Sequence, residues 1–138
     1  MATIFETASP TFKARFMYMA GFDDEDAFDA FASHLDLRPV APSVRCPNLI
    51  LAGEDDELSP IANTYELLRA LAGPTQLVLY QGERHSLGSG PAATLGPNRH
   101  HLVAQWIADR FTGRPASDGF LYVEATGQVR ERSPFWRT

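Results

Sequence analysis

Between Ser9 and Ala20 the apolar residues Phe12, Phe16, Met19 and Ala20 recur at helical spacing, after Ser9-Pro10 and before Gly21. This predicts a first helix. Asp23 or Asp24 caps a second, in which Phe28, Phe31 and Leu35 share a face and Asp24, Glu25 and Asp26 favour the positive helix end. The prolines of Arg38-Pro39-Val40-Ala41-Pro42-Ser43 then break the pattern. Asn48-Leu49-Ile50-Leu51-Ala52, closed by Gly53, is a continuous apolar run that suits a strand buried on both faces of a parallel sheet. After the acidic loop Glu54-Asp55-Asp56-Glu57-Leu58, Ser59-Pro60 reads as N-cap and first residue of a helix over Ile61 to Leu71, ended by Gly73-Pro74. Gln76-Leu77-Val78-Leu79-Tyr80 repeats the strand pattern and leads into the loop Gln81-Gly82-Glu83-Arg84-His85, so the unit is a βαβ crossover. Gly88 to Pro97 reads as loop. Leu102, Val103, Trp106, Ile107 and Phe111 mark a further core-facing helix ending at Gly113. Phe120 to Glu124 and Val129 to Arg132 alternate around Ala125-Thr126-Gly127-Gln128, predicting a terminal hairpin.

Composition narrows the function classes. Twelve Lys+Arg against seventeen Asp+Glu leave a net charge of −5, the wrong sign for a phosphate-binding surface, so nucleic acid is not expected as a partner. The longest apolar stretch, Phe16 to Phe22, is far short of the roughly 20 residues of a membrane span, and no signal peptide is evident before Lys13. Cys46, the single cysteine, cannot form an internal disulfide, which predicts a cytoplasmic protein.

In open α/β sheets ligands sit at the carboxyl ends of the strands, where Asp56 follows one predicted strand and His85 the other. Parallel neighbours lie about 4.8 Å apart, so the two loops can bring carboxylate and imidazole together. A carboxylate bonded to one ring nitrogen fixes the tautomer and leaves the other nitrogen as a base. Glu54, Asp55 and Glu57 read as a solvated acidic loop, since neither their spacing nor a partner histidine specifies a metal geometry. His100 and His101 are adjacent at a helix start and point apart, and His34 reads as a helix-end residue. Gly88-Ser89-Gly90 is a flexible loop and not a phosphate cradle, as no strand leads into it. Cys46 reads as packed beside Pro47, and the aromatic residues Phe12, Phe16, Tyr18, Phe22, Phe28 and Phe31 as core.

Arg45-Cys46-Pro47-Asn48-Leu49-Ile50-Leu51-Ala52-Gly53-Glu54-Asp55-Asp56-Glu57-Leu58-Ser59-Pro60, followed by Tyr80-Gln81-Gly82-Glu83-Arg84-His85, resembles the acid and histidine segments of the α/β-hydrolases. The family's strand, Gly, two residues, Asp, three residues, Pro falls on Gly53, Asp56 and Pro60, and Asp then His is the family's order. The segment from Phe12 to Leu37 resembles the cap-to-core passage of the dienelactone-hydrolase-like and prolyl-oligopeptidase-like branch that contains 2,6-dihydroxypseudooxynicotine hydrolase. The resemblance implies a partial α/β-hydrolase fold of the α/β class: a short parallel sheet, flanking helices and a C-terminal β-hairpin. Residues 1–44 form a cap-like helical segment and connector, 45–113 the C-terminal core and 114–138 a hairpin tail.

No Gly-x-Ser-x-Gly elbow occurs in the chain. Asp56 and His85 are therefore expected to complete a Ser-His-Asp site whose serine lies on upstream sequence, with Met1 read as a truncated start. The resemblance implies hydrolysis of an ester, a lactone or a ketone C–C bond in a small-molecule substrate, with no cofactor and no metal. The alternative is a non-catalytic binding or oligomerisation module, because a bare apolar strand edge invites pairing with another chain, as a homo-oligomer or with a complementing chain. A serine within the chain is disfavoured: Ser117 and Ser133 lack an elbow context, and Ser86 adjoins His85 too closely to face its ring. Half a sheet also predicts incomplete cover for Leu49, Ile50, Leu51 and Trp106, at about 1.5–3 kcal/mol for each large side chain left wet.

Overall fold

The computed structural model describes residues 10–137, so the predicted start at Ser9 lies outside the described residues. The chain divides into two compact units, one ending at Pro39 and the other beginning at Val40, within the proline-bearing connector. The first unit holds α1 (Pro10–Ala20) and α2 (Glu25–Ala32). Asp24 caps α2 by accepting the Ala27 N–H at 2.7 Å, and Lys13 joins the helices through Glu25 at 2.6 Å and Asp29 at 2.8 Å. Of the six aromatic residues read as core, only Phe28 is buried. Two short helices have too little facing surface to enclose a wide stripe, and Phe16, Tyr18 and Phe31 stay exposed.

The second unit is mixed α/β. Its sheet has the order β1 (Asn48–Gly53), β2 (Thr75–Tyr80), β3 (Gly119–Val123), β4 (Val129–Arg132), the first three parallel and β4 antiparallel. Segment 114–138 is thus no separate tail: β3 is a third parallel strand seated against β2. Its short alternating run gave a hairpin signal but nothing about its far edge, and that edge makes β2 central and almost wholly buried.

The strand alternation divides the core into two faces. On one, Ile50, Leu77, Leu79, Phe120 and Tyr122 pack with Leu68 of α3 (Ile61–Ala70) and with Trp136 in the final 3₁₀ turn. On the other, Leu51, Val78, Tyr80, Leu121 and Val123 meet Ala92 of the short α4 (Pro91–Leu95) and Leu102 of α5 (Arg99–Phe111). Pro60, not Ser59, occupies the N-cap of α3, and it makes no side-chain cap. α4 lies inside the stretch read as loop, where Pro91 supplies the fixed φ of a first helical residue. α5 buries no residue completely, contrary to its apolar pattern: Ile107 is exposed and Phe111 is 88% exposed, because a four-stranded sheet offers no surface opposite the helix's last turn. Leu49, Ile50, Leu51 and Trp106 are half-covered. No helix among the described residues is long and apolar enough to cross a membrane.

The C-terminus is locked to the core by Arg137, which donates to Asp118 at 2.9 Å, to the Leu71 carbonyl at 2.8 Å and to the Gly73 carbonyl. Burial opposes ionisation of Asp118, but the Thr75 N–H and the Arg137 guanidinium outweigh it and hold the carboxyl below its ordinary range. A carboxyl lowered in the folded state stabilises above its unfolded value of 3.8 and loses that contribution as pH falls through the native value. Arg137→Ala is expected to cost about 1–3 kcal/mol in urea unfolding at neutral pH. Asp118→Asn should be destabilising at neutral pH, with the gap to wild type closing in strong acid.

Candidate functional site

The register from Asn48 opposite Thr75 to Gly53 opposite Tyr80 ends β1 and β2 at one level, so their following loops leave the sheet side by side. Glu54 N–H donates to the Tyr80 carbonyl at 3.0 Å and Asp55 N–H to the Glu83 carbonyl at 2.9 Å. A Cβ on Gly53 would stand 2.3 Å from that same Glu83 oxygen, so only glycine permits the loops to approach this closely.

Asp56 and His85 meet at this junction, His85 Nδ1 lying 2.9 Å from Asp56 Oδ2. The other carboxylate oxygen accepts the N–H groups of Leu58 and Ser59, each at 2.9 Å, which fixes the plane of the carboxyl. Ser59, which does not cap α3, thus gives its backbone N–H to Asp56. The Asp56 side chain is 8% exposed and that of His85 58% exposed, so the acid is sheltered while the ring remains accessible. An ionised carboxylate only accepts hydrogen bonds, so the geometry places a proton on Nδ1, and in the neutral ring the lone pair is then on Nε2. A cleft of ≈ 230 Å³ adjoins the pair, lined by Ile50 to Gly53 of β1, by Ser59 and Thr64, and by Leu87.

Three further residues, Glu54, Glu83 and Gly90, support these loops in roles that the sequence did not suggest. Glu54, read as solvated, is partly buried: its carboxylate accepts the Tyr122 hydroxyl at 3.1 and 3.2 Å and the Gly82 N–H at 3.4 Å, linking the acid loop to β3 and to the histidine loop. Glu83 is 1% exposed, and one of its oxygens accepts the Ala93 N–H at 3.1 Å. Gly90 lies over the Glu83 carboxylate, where a Cβ would stand 2.5 Å from Oε1, so this glycine lets the backbone cover the buried acid. The only signal for any of this was glycine content, which does not say what approaches the backbone.

The other candidates lie apart from the pair or carry ordinary surface roles. Asp55 is exposed, and Glu57 makes an exposed ion pair with Arg84 at 3.4 Å. Cys46 is exposed and not packed, because Pro47 keeps it outside β1. His34, His100 and His101 are exposed, the last two in the first turn of α5. Ser86, Ser117 and Ser133 are exposed, and none of them lines the cleft. No group of three or more His, Cys, Asp or Glu residues among the described residues could hold a metal ion. No protein-family model, curated protein or solved structure matches the chain.

Gly53→Ala is expected to force the loops apart at a cost of about 1–3 kcal/mol, the usual range for overpacking. Amide exchange should then show the Asp55 N–H losing protection while the amides of β2 keep theirs.

Proposed function

We propose that this chain supplies the acid and base of a Ser-His-Asp hydrolase site, with Asp56 orienting His85 and a serine nucleophile coming from outside these 138 residues. The observation that carries the reading is the 2.9 Å contact between His85 Nδ1 and an Asp56 carboxylate that is otherwise held by two backbone N–H groups. The substrate class is a small molecule with an ester, a lactone or a ketone C–C bond, with the cytoplasm as its setting.

His85 Nε2 takes the proton of the serine hydroxyl as the oxygen attacks the substrate carbonyl, and the imidazolium formed is stabilised by Asp56. The same nitrogen then gives that proton to the departing alcohol or carbon. In the second half a water loses its proton to Nε2 and releases the acid, returning ring and serine to their starting states. The Asp–His pair alone lacks both a nucleophile and aligned oxyanion donors, and those terms carry most of the rate.

A second reading, a non-catalytic assembly module, is favoured by one observation: among the described residues β1 has no strand on its outer side.

Intact-mass analysis after fluorophosphonate treatment separates these outcomes. The chain alone is expected to take no adduct. A longer natural chain or partner carrying the nucleophile should be labelled on that serine, and His85→Ala should slow turnover by about 10⁴-fold or more. An adduct on the isolated chain that requires His85 would contradict the proposal, as would full activity of the completed enzyme with His85→Ala.

A further inference from the structure

Leu87 lies two residues beyond His85 and is the one described residue other than glycine with a positive φ, 45°. In that left-handed conformation a Cβ crowds its own backbone, a cost that glycine escapes. The leucine side chain is half-buried, packs against the cluster of Val78, Tyr80, Ala92 and Val123, and also lines the cleft beside His85. Close packing on that cluster holds it in place, so it gives the cleft a fixed wall. Ile50 to Ala52 of β1 and Thr64 of α3 line the same space. Among the described residues no lysine or arginine lines the cleft, and its single carboxylate is that of Asp56. Both Asp56 oxygens are engaged, one by the Leu58 and Ser59 N–H groups and the other by His85. The ≈ 230 Å³ of the cleft holds about eight non-hydrogen atoms at roughly 30 Å³ each.

We propose that this cleft takes the short, uncharged alkyl chain of an ester substrate, and that Leu87 sets the length of chain it accepts. An anionic chain end would be buried beside the Asp56 carboxylate with no cation to offset it. A cationic one would compete with the N–H groups and the ring that Asp56 already holds. A longer chain would run into the Leu87 side chain, which cannot withdraw because the core cluster occupies the space behind it. The proposal rests on the hydrolase reading for the ester group. Its preference for a short neutral chain comes from the cleft itself.

NMR titration of the whole chain with ethyl butyrate tests this. The methyl signals of Leu87 and Ile50 and the His85 ring signals should move together. Monoethyl succinate, a similar frame ending in a carboxylate, should bind at least tenfold more weakly. Ethyl hexanoate should bind no more tightly than ethyl butyrate, although two added methylenes tighten binding about tenfold where they are buried. Leu87→Gly, which relieves the backbone and removes the wall, should reverse that order and favour ethyl hexanoate at least threefold. Thr64→Leu fills the cleft from α3 and should weaken ethyl butyrate at least fivefold, a readout that holds even if the glycine variant fails to fold. Absence of ethyl butyrate binding, or equal binding of monoethyl succinate, would overturn the proposal. Tighter binding of ethyl hexanoate by the wild-type chain, an unchanged order in well-folded Leu87→Gly, or unaltered affinity in Thr64→Leu would overturn it too. None of these readouts requires turnover, so the hydrolase reading fails separately, by its own labelling and His85→Ala tests.

Discussion

The close backbone approach of Gly53 to Glu83 is the constraint on which the rest of the site depends. Two parallel strands in register deliver their loops to one level, but ordinary side chains would keep those loops apart. Removing the Cβ at Gly53 lets Asp55 N–H reach the Glu83 carbonyl, and that bond brings Asp56 and His85 within 2.9 Å of each other. The carboxylate plane follows from the same loop, since Leu58 and Ser59 N–H groups fall on the oxygen that His85 does not use. A buried acid and a tyrosine then brace the junction from outside: Glu83 ties the histidine loop to α4, while Tyr122 ties Glu54 to β3. Each brace is weak by itself, at about 1 kcal/mol for an ordinary hydrogen bond. Together they leave the exposed imidazole on a fixed base.

The sheet is asymmetric in a way that gives this base its surroundings. The β3–β4 side ends in the charged, exposed β4, and β2 is almost wholly buried. β1 carries no charge; its leucines and isoleucine are half-covered, while Ala52 and Gly53 are buried. The cleft beside His85 is walled by this strand from Ile50 to Gly53.

Much of this arrangement was legible in the residues. The apolar runs at Asn48 and Gln76, with a helix between them, pointed to a parallel pair, while Asp56 was singled out among its acidic neighbours only through the resemblance carried by Gly53, Asp56 and Pro60. What escaped was long-range. Tyr122 and Glu54 are 68 positions apart, and no local pattern joins them. The pairing of β3 beside β2 turns on an edge that alternation does not reveal. α5 shows the opposite failure: Ile107 and Phe111 recur at helical spacing, yet spacing only states which residues share a face, not whether the sheet is wide enough to cover it.

The most direct measurement of the central claim is long-range proton–nitrogen NMR of the His85 ring at neutral pH. For the neutral form of the ring the account predicts a proton on Nδ1 and a bare Nε2, with the ordinary mixture of tautomers in Asp56→Ala. A proton on Nε2 of the neutral ring in the wild-type chain, or a tautomer unaffected by Asp56→Ala, would contradict it.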